Sequence, residues 1–213
     1  MAGGRMKEKT GENLTGKDSD GSPFKDEVQL WNTAFSGRKP VEWDRLPDIE
    51  LYMDQVLTFL DRQLPVPSGS GEDRVITPSM INNYTKDHVI PRAESKKYSR
   101  DHIALLLVIC SLKKVLSMPD LSNLFKDFKA NESDRIEKFY ERFRELQELA
   151  IIKTSGIVTE GLKEINEANE KDILRNLALQ LAVEAQTKCI AAEQILSILD
   201  QKTDTKEKTD KAK

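Results

Sequence analysis

The chain has 213 residues, a formal net charge of −3 and 32% charged against 38% apolar residues. That length suffices for one ordinary domain with extensions, and the acidic balance excludes a protein that coats nucleic acid with its whole surface. Only ten glycines and eight prolines occur, and four of them (Pro65, Pro67, Gly69 and Gly71) fall in one stretch, so long helices should dominate.

Residues 1–23 mix Gly, Lys, Glu, Asp and Thr with almost no large apolar side chain, a composition expected to stay disordered. Phe24, Val28, Trp31 and Phe35 then recur at helical spacing, and Gly37 and Pro40 close that short amphipathic helix. Trp43, Leu46 and Pro47 look like an extended arm laid on the main body. Asp48 is expected to open the next helix, whose stripe runs through Ile49, Tyr52, Met53, Val56, Leu57, Leu60 and Leu64. The Pro65–Asp73 stretch has linker composition.

Thr77 and Pro78 form a helix start: a side-chain oxygen for orphan amides, then a residue with the φ of the first helical position. Ile81 and Tyr84 share one side of this helix, whereas Ser79, Asn82, Asn83 and Lys86 can all hydrogen-bond outward. Asn is one of the few side chains that pairs bidentately with a base edge, adenine above all. A basic loop with Arg92, Lys96, Lys97 and Tyr98 follows, as a phosphate-gripping wing would; Tyr98 is the packing anchor. Between Thr77 and Arg100 five basic residues against Asp87 and Glu94 leave an excess of three positive charges. A local basic face is enough for phosphate contacts, which are short-ranged in salt.

Ser99 can cap a helix starting at Arg100 that is apolar nearly all round from Ile103 to Cys110, the expected core helix. Ser117 and Asp120 have capping-box spacing before Leu121, Leu124, Phe125 and Phe128. From Glu132, Ile136, Phe139, Tyr140, Phe143, Leu146 and Ala150 make one stripe, which Gly156 and Gly161 are expected to break between Thr154 and Gly161. Glu170–Leu199 contains neither Gly nor Pro and reads as one long helix, too apolar around its circumference for a single neighbour. Residues 201–213 read as a disordered tail.

Chemistry-bearing patterns point away from catalysis. There is no glycine-rich phosphate loop, nucleophile elbow or HExxH. His88 and His102 lack companions at ligand spacing, and Cys110 and Cys189 sit alone in apolar runs, so no metal, cofactor or disulfide is expected. His88 is placed to cap the end of its helix. The longest greasy run, Ile103–Cys110, is far short of the ~20 residues that span a bilayer. With no apolar signal region at the N-terminus, a cytoplasmic protein without membrane contact is expected.

Three blocks, LPDIELYMDQV (Leu46–Val56), ITPSMINNYTKDHVIP (Ile76–Pro91) and KKYSRDHIALLLVICSLKKVL (Lys96–Leu116), resemble a bacterial family, domain of unknown function 1836, over about Leu46 to Lys129. The last two blocks are also similar to the mercury-resistance-regulator (MerR) type of winged helix. On that pattern Pro78 and Ser79 take the helix start, Ile81 the buried position and Tyr84 the closing aromatic. His88-Val89-Ile90-Pro91 takes the turn, and Lys96-Lys97-Tyr98-Ser99 the wing exit. Asn82 departs from the Arg that such regulators usually carry. The resemblance implies an all-α, MerR-like winged helix-turn-helix domain over residues 24–129, with a helical C-terminal extension over 130–200. The expected function is a sequence-specific DNA-binding transcriptional regulator without enzymatic activity. It would use a recognition helix (78–86) and a short basic wing (92–98), with Ser79, Asn82, Asn83, Lys86, Arg92, Lys96 and Lys97 touching double-stranded DNA. Its C-terminal helices are expected to make a homodimer; an intrachain three-helix bundle with the Phe24–Phe35 helix is the other arrangement. The alternative function is a helical adaptor whose MerR-like domain docks a protein.

Overall fold

The computed structural model describes residues 23–64, 75–125, 128, 133–166 and 168–210. Within them lie seven α-helices and one two-stranded ribbon: α1 (Pro23–Ser36), a 3-10 turn (Trp43–Arg45), β1 (Leu51–Tyr52), α2 (Met53–Gln63), α3 (Pro78–Lys86), β2 (Lys97–Tyr98), α4 (Arg100–Leu112), α5 (Met118–Phe125), α6 (Ser133–Lys163) and α7 (Glu170–Asp210). The chain is mainly helical, as its composition implies. Among the described residues, no helix is long and apolar enough to cross a membrane.

A helix with apolar side chains on every side must be enclosed, and α4 is. Its residues from His102 to Cys110 are all buried. Val56, Leu57 and Leu60 of α2, Ile81 and Tyr84 of α3, Leu121 and Phe125 of α5, and Ile136 and Tyr140 of α6 belong to the same buried cluster. Each large aliphatic side chain buried there stabilises the fold by about 1.5–3 kcal/mol. The arm before β1 is fastened to this body as its aromatic residue suggests. Trp43 is buried, with its ring 6.0 Å from Tyr140, whose hydroxyl donates to the Val41 carbonyl at 2.8 Å. The Trp43 amide donates to Glu141 at 3.2 Å.

A smaller cluster lies where α1, the second half of α6 and the start of α7 meet: Val158, Leu162 and Ile165, packed by Val28, Leu174, Leu177 and Leu181. Buried Asn32 of α1 donates to the Ser155 carbonyl at 3.1 Å and to Thr159 Oγ1 at 3.0 Å. Because only one register satisfies those bonds, Asn32 sets where α1 sits along α6. The α1 N-terminus is capped from across the interface: the Lys25 amide donates to Glu170 Oε1 at 2.7 Å. A three-helix arrangement therefore exists at this end of the chain.

Several expected boundaries are corrected. Asp48 does not open a helix: Leu51 and Tyr52 pair antiparallel with Tyr98 and Lys97, and α2 begins at Met53. The strand buries Leu51 and leaves Ile49 and Tyr52 exposed, and the Gln55 side chain accepts the Tyr52 amide at 2.9 Å. Gly156 and Gly161 do not interrupt α6, which runs 31 residues. The buried series Ile151, Ser155, Val158 and Leu162 keeps helical spacing through both glycines, and packing outweighs a propensity cost of about 1 kcal/mol per glycine. The last helix does not end at Leu199, nor is the backbone irregular from residue 201: α7 continues to Asp210, since nothing after Gln201 breaks a helix already nucleated. Pro23, placed in the expected disordered segment, begins α1. Residues 1–22 and 211–213, and the expected Pro65–Asp73 linker, lie outside the described residues.

A Cβ at Gly161 would meet Leu177 side-chain carbons at 3.2 and 3.3 Å, whereas one at Gly156 would meet nothing within 4 Å. Gly156→Ala should therefore stabilise the protein by about 0.5–1 kcal/mol in chemical denaturation, and Gly161→Ala by less. Equal gains at the two positions would contradict this packing of α7 on α6.

Candidate nucleic-acid interface

Helix α3 begins as its sequence dictates. Thr77 Oγ1 accepts the Met80 amide at 3.3 Å, and Pro78 occupies the first helical position. Ile81 and Tyr84 turn one side of α3 into the core, so Ser79, Asn82, Asn83 and Lys86 are left exposed. The helix ends in a Schellman motif. The Val89 amide reaches back to the Tyr84 carbonyl at 2.8 Å and the His88 amide to Thr85 at 3.3 Å. His88 takes the left-handed position, φ 56°, where glycine is usual. Its contribution to the helix end is thus backbone geometry, while buried Val89 beside Tyr84 supplies the apolar contact of the motif.

Beyond this turn the chain builds the ribbon. Glu94, Ser95, Lys96 and Lys97 make a tight turn closed by the Lys97 amide on the Glu94 carbonyl at 2.8 Å. Both central residues have positive φ, 49° at Ser95 and 63° at Lys96, the requirement of a type I′ hairpin turn. Neither is glycine, so each is held there at a cost of about 1–2 kcal/mol. The strained turn thrusts Lys96 into solvent. Pairing of β2 with β1 buries Tyr98 and ties the loop to the start of α2.

An open depression of about 410 Å³ separates α3 from the ribbon and is lined by Met53, Asn82, Thr85, Arg92, Lys96 and Tyr98, among others. It brings three of the seven sequence-derived contact residues, Asn82, Arg92 and Lys96, around one concavity. Ser79, Asn83 and Lys86 are exposed on α3 outside its lining. Lys97 is placed differently. Its Nζ lies 3.7 Å from Glu50 Oε2 and 5.9 Å from the centre of the Tyr52 ring. Within four residues of Lys97 only Glu94 and Asp101 are acidic; the ribbon supplies another carboxylate from 47 positions upstream. Its charge is therefore partly spent within the chain, and Lys96 is the better-placed lysine.

On the other side of the ribbon a cavity of about 230 Å³ is lined by Arg92, Glu94, Lys97, Asp101, His102 and Ser133, among others. His102 is buried there, with its Nδ1 accepting the Ser99 amide at 3.2 Å and lying 2.8 Å from Ser99 Oγ. It thus acts as the return half of a capping box, at the position where Glu or Gln usually stands. Tyr98 meets its ring edge-on at 5.7 Å. The Ser-x-x-His spacing was a visible signal of this role. Ser133, the first residue of α6, donates to Asp101 at 2.8 Å and so pins α6 to the first turn of α4. Burial raises the Cys110 thiol to about 12, which leaves it an inert core residue, whereas Cys189 is only half-buried.

With this geometry described, the similarity to known proteins is narrow but definite. Residues 41–143 match the family described as a domain of unknown function (DUF1836). The match covers the arm, the ribbon, α2 to α5 and the first part of α6, the enclosure of α4 together with the candidate interface. It is the family that the three sequence blocks resemble. The second half of α6, α7 and α1 lie outside the match. No curated protein and no solved structure matches the chain.

Burial lowers the His102 pKa against the opposing pull of the Arg92 carbonyl and Asp101. Above the unfolded value of ~6.5 the imidazole is neutral in both states; below it the unfolded chain binds a proton that the folded one resists. Stability should therefore fall as pH drops below about 6.5 and level off beneath the folded pKa. His102→Gln, which retains an acceptor for the Ser99 amide, should abolish that slope in denaturation curves taken across the window. An unchanged slope in the variant would assign the pH dependence elsewhere.

Proposed function

We propose that this protein is a sequence-specific DNA-binding regulator with a MerR-like winged helix-turn-helix, α2 and α3 forming the helix pair and the Arg92–Tyr98 loop the wing. The supporting observation is the depression in which Asn82 of α3 meets Arg92 and Lys96 of the wing, while Ser79, Asn83 and Lys86 stay exposed along the same helix. Amides that can read a base edge stand between cations that can hold the flanking phosphates, the division of labour a groove reader needs. None of this requires catalysis, and the reading is non-enzymatic. A second reading, docking of a protein partner on this domain, is favoured by Ile49 and Tyr52, which are 66% and 52% exposed at the edge of the ribbon.

Lys86, Arg92 and Lys96 as phosphate contacts predict a salt slope of about −3 per protomer. Lys96→Ala should weaken binding to a duplex selected from a random pool and to its scrambled version alike, and lower the slope by about one. Asn82→Ala should instead cost about 1–3 kcal/mol on the selected duplex only and relax preference at one base pair. Lys97→Ala, already paired with Glu50, should have the smallest effect of the three. Failure to enrich any duplex from the pool overturns the reading, and capture of a protein that Tyr52→Ala releases would put the docking surface in its place.

A further inference from the structure

The first turns of α7 are covered by α6 and α1 through Leu174, Leu177 and Leu181, and farther along Leu196 is buried. On the opposite side, from Asn176 to Gln201, positions repeat at helical spacing along an arc roughly 120° wide. Every residue on that arc is exposed. Its aliphatic members are Leu179, Val183, Ile190 and Ile198, 63%, 53%, 55% and 43% exposed. The intervening members, Gln186 and Gln194 among them, are uncharged amides and hydroxyls. Not one position on the arc is charged, in a chain that is 32% charged. The charges of the same stretch, Glu184, Lys188, Glu193 and Asp200, all fall outside it, and Glu184 and Lys188 pair with each other at 3.1 Å.

We infer that α7 pairs along this arc with α7 of a second copy of the chain. A solvated helix face in so charged a protein should carry lysines and glutamates, and its exposed aliphatic side chains mark a surface that is covered in use. The electrostatics select the occupant. A charged partner, whether nucleic acid, an anionic surface or an acidic peptide, finds no counter-charge here. Two identical neutral faces meet without like-charge repulsion, and their amides can hydrogen-bond across a two-fold axis. The arc spans 26 residues, about 39 Å of helix at 1.5 Å per residue. Leu179, Val183, Gln186 and Ile190 follow one another at alternating spacings of four and three. Over these twelve residues that is coiled-coil spacing, with β-branched Val183 and Ile190 at one core position and Leu179 and Gln186 at the other. The seam is thus the stripe opposite the Leu174–Leu181 face, which α1 and α6 already occupy. This inference does not rest on DNA binding.

Sedimentation equilibrium of the full chain at about 100 µM tests it. The expected mass is twice the 24.2 kDa of one chain. Val183→Glu with Ile190→Glu should return the single-chain mass with helical circular dichroism intact. The milder Gln186→Glu with Gln194→Glu pair, which only adds like charges across the seam, should weaken the dimer at least tenfold and regain it in high salt. Leu149→Glu, on an exposed apolar stripe of α6, should leave the dimer in place. A monomeric wild-type chain overturns the inference, as does a dimer that survives both α7 pairs or is broken by Leu149→Glu.

Discussion

Enclosing α4 is the constraint on which the rest of the domain depends. Nine consecutive residues of that helix are buried, so no two-layer arrangement satisfies it and neighbours must approach from every side. α2, α3, α5, α6 and the Trp43 arm do so, each through its own apolar stripe. Because α3 contributes Ile81 and Tyr84 to this enclosure, the direction of its exposed face follows from packing. The ribbon follows in turn: Tyr98 is buried beside His102 at the start of α4, which fixes where the loop before it can go. The candidate interface is therefore a consequence of how one hydrophobic helix is wrapped, and it falls within the stretch that matches the family.

What was legible in the sequence was what neighbouring residues decide among themselves. Thr77-Pro78 starts α3, and Ser117 and Asp120 exchange backbone amides and side-chain oxygens at the start of α5. Each feature needs partners only three residues apart. The errors share the opposite property. Asp48 was read as a helix start because Ile49 and Tyr52 extend the α2 stripe; Leu51 has its partner at Tyr98, which no local pattern reveals. Local spacing offers Lys97 only Glu94 and Asp101, because Glu50 reaches it only through the ribbon. Gly156 and Gly161 read as breakers until the packing of α6 against α1 and α7 is considered, after which Gly161 is where a Cβ would press on Leu177 of α7.

Three residues of the described chain other than glycine have positive φ, His88, Ser95 and Lys96, and all three flank the candidate interface. Left-handed backbone at such residues persists only where the surroundings over-determine it. At His88 buried Tyr84, Val89 and Ile90 hold it; at Ser95 and Lys96 the pairing of β1 with β2 does so. The strain at the ribbon tip has a visible result, a lysine projecting beside the exposed amides of α3. Site and scaffold are joined by His102, which caps α4 while packing against Tyr98 of the ribbon.

Of the two extensions, α1 is clamped to α6 by Asn32, and α7 packs on α5, α6 and α1 and exposes an uncharged arc. The interface reading depends on neither. Its most direct test is amide and side-chain chemical-shift mapping of the isotopically labelled full chain titrated with a pool-selected duplex. The account predicts that the side-chain amides of Asn82 and Asn83 and the backbone of Arg92 to Lys97 shift together, with the buried amides of α4 moving little. Shifts confined to other surfaces, or none with any selected duplex, would contradict it.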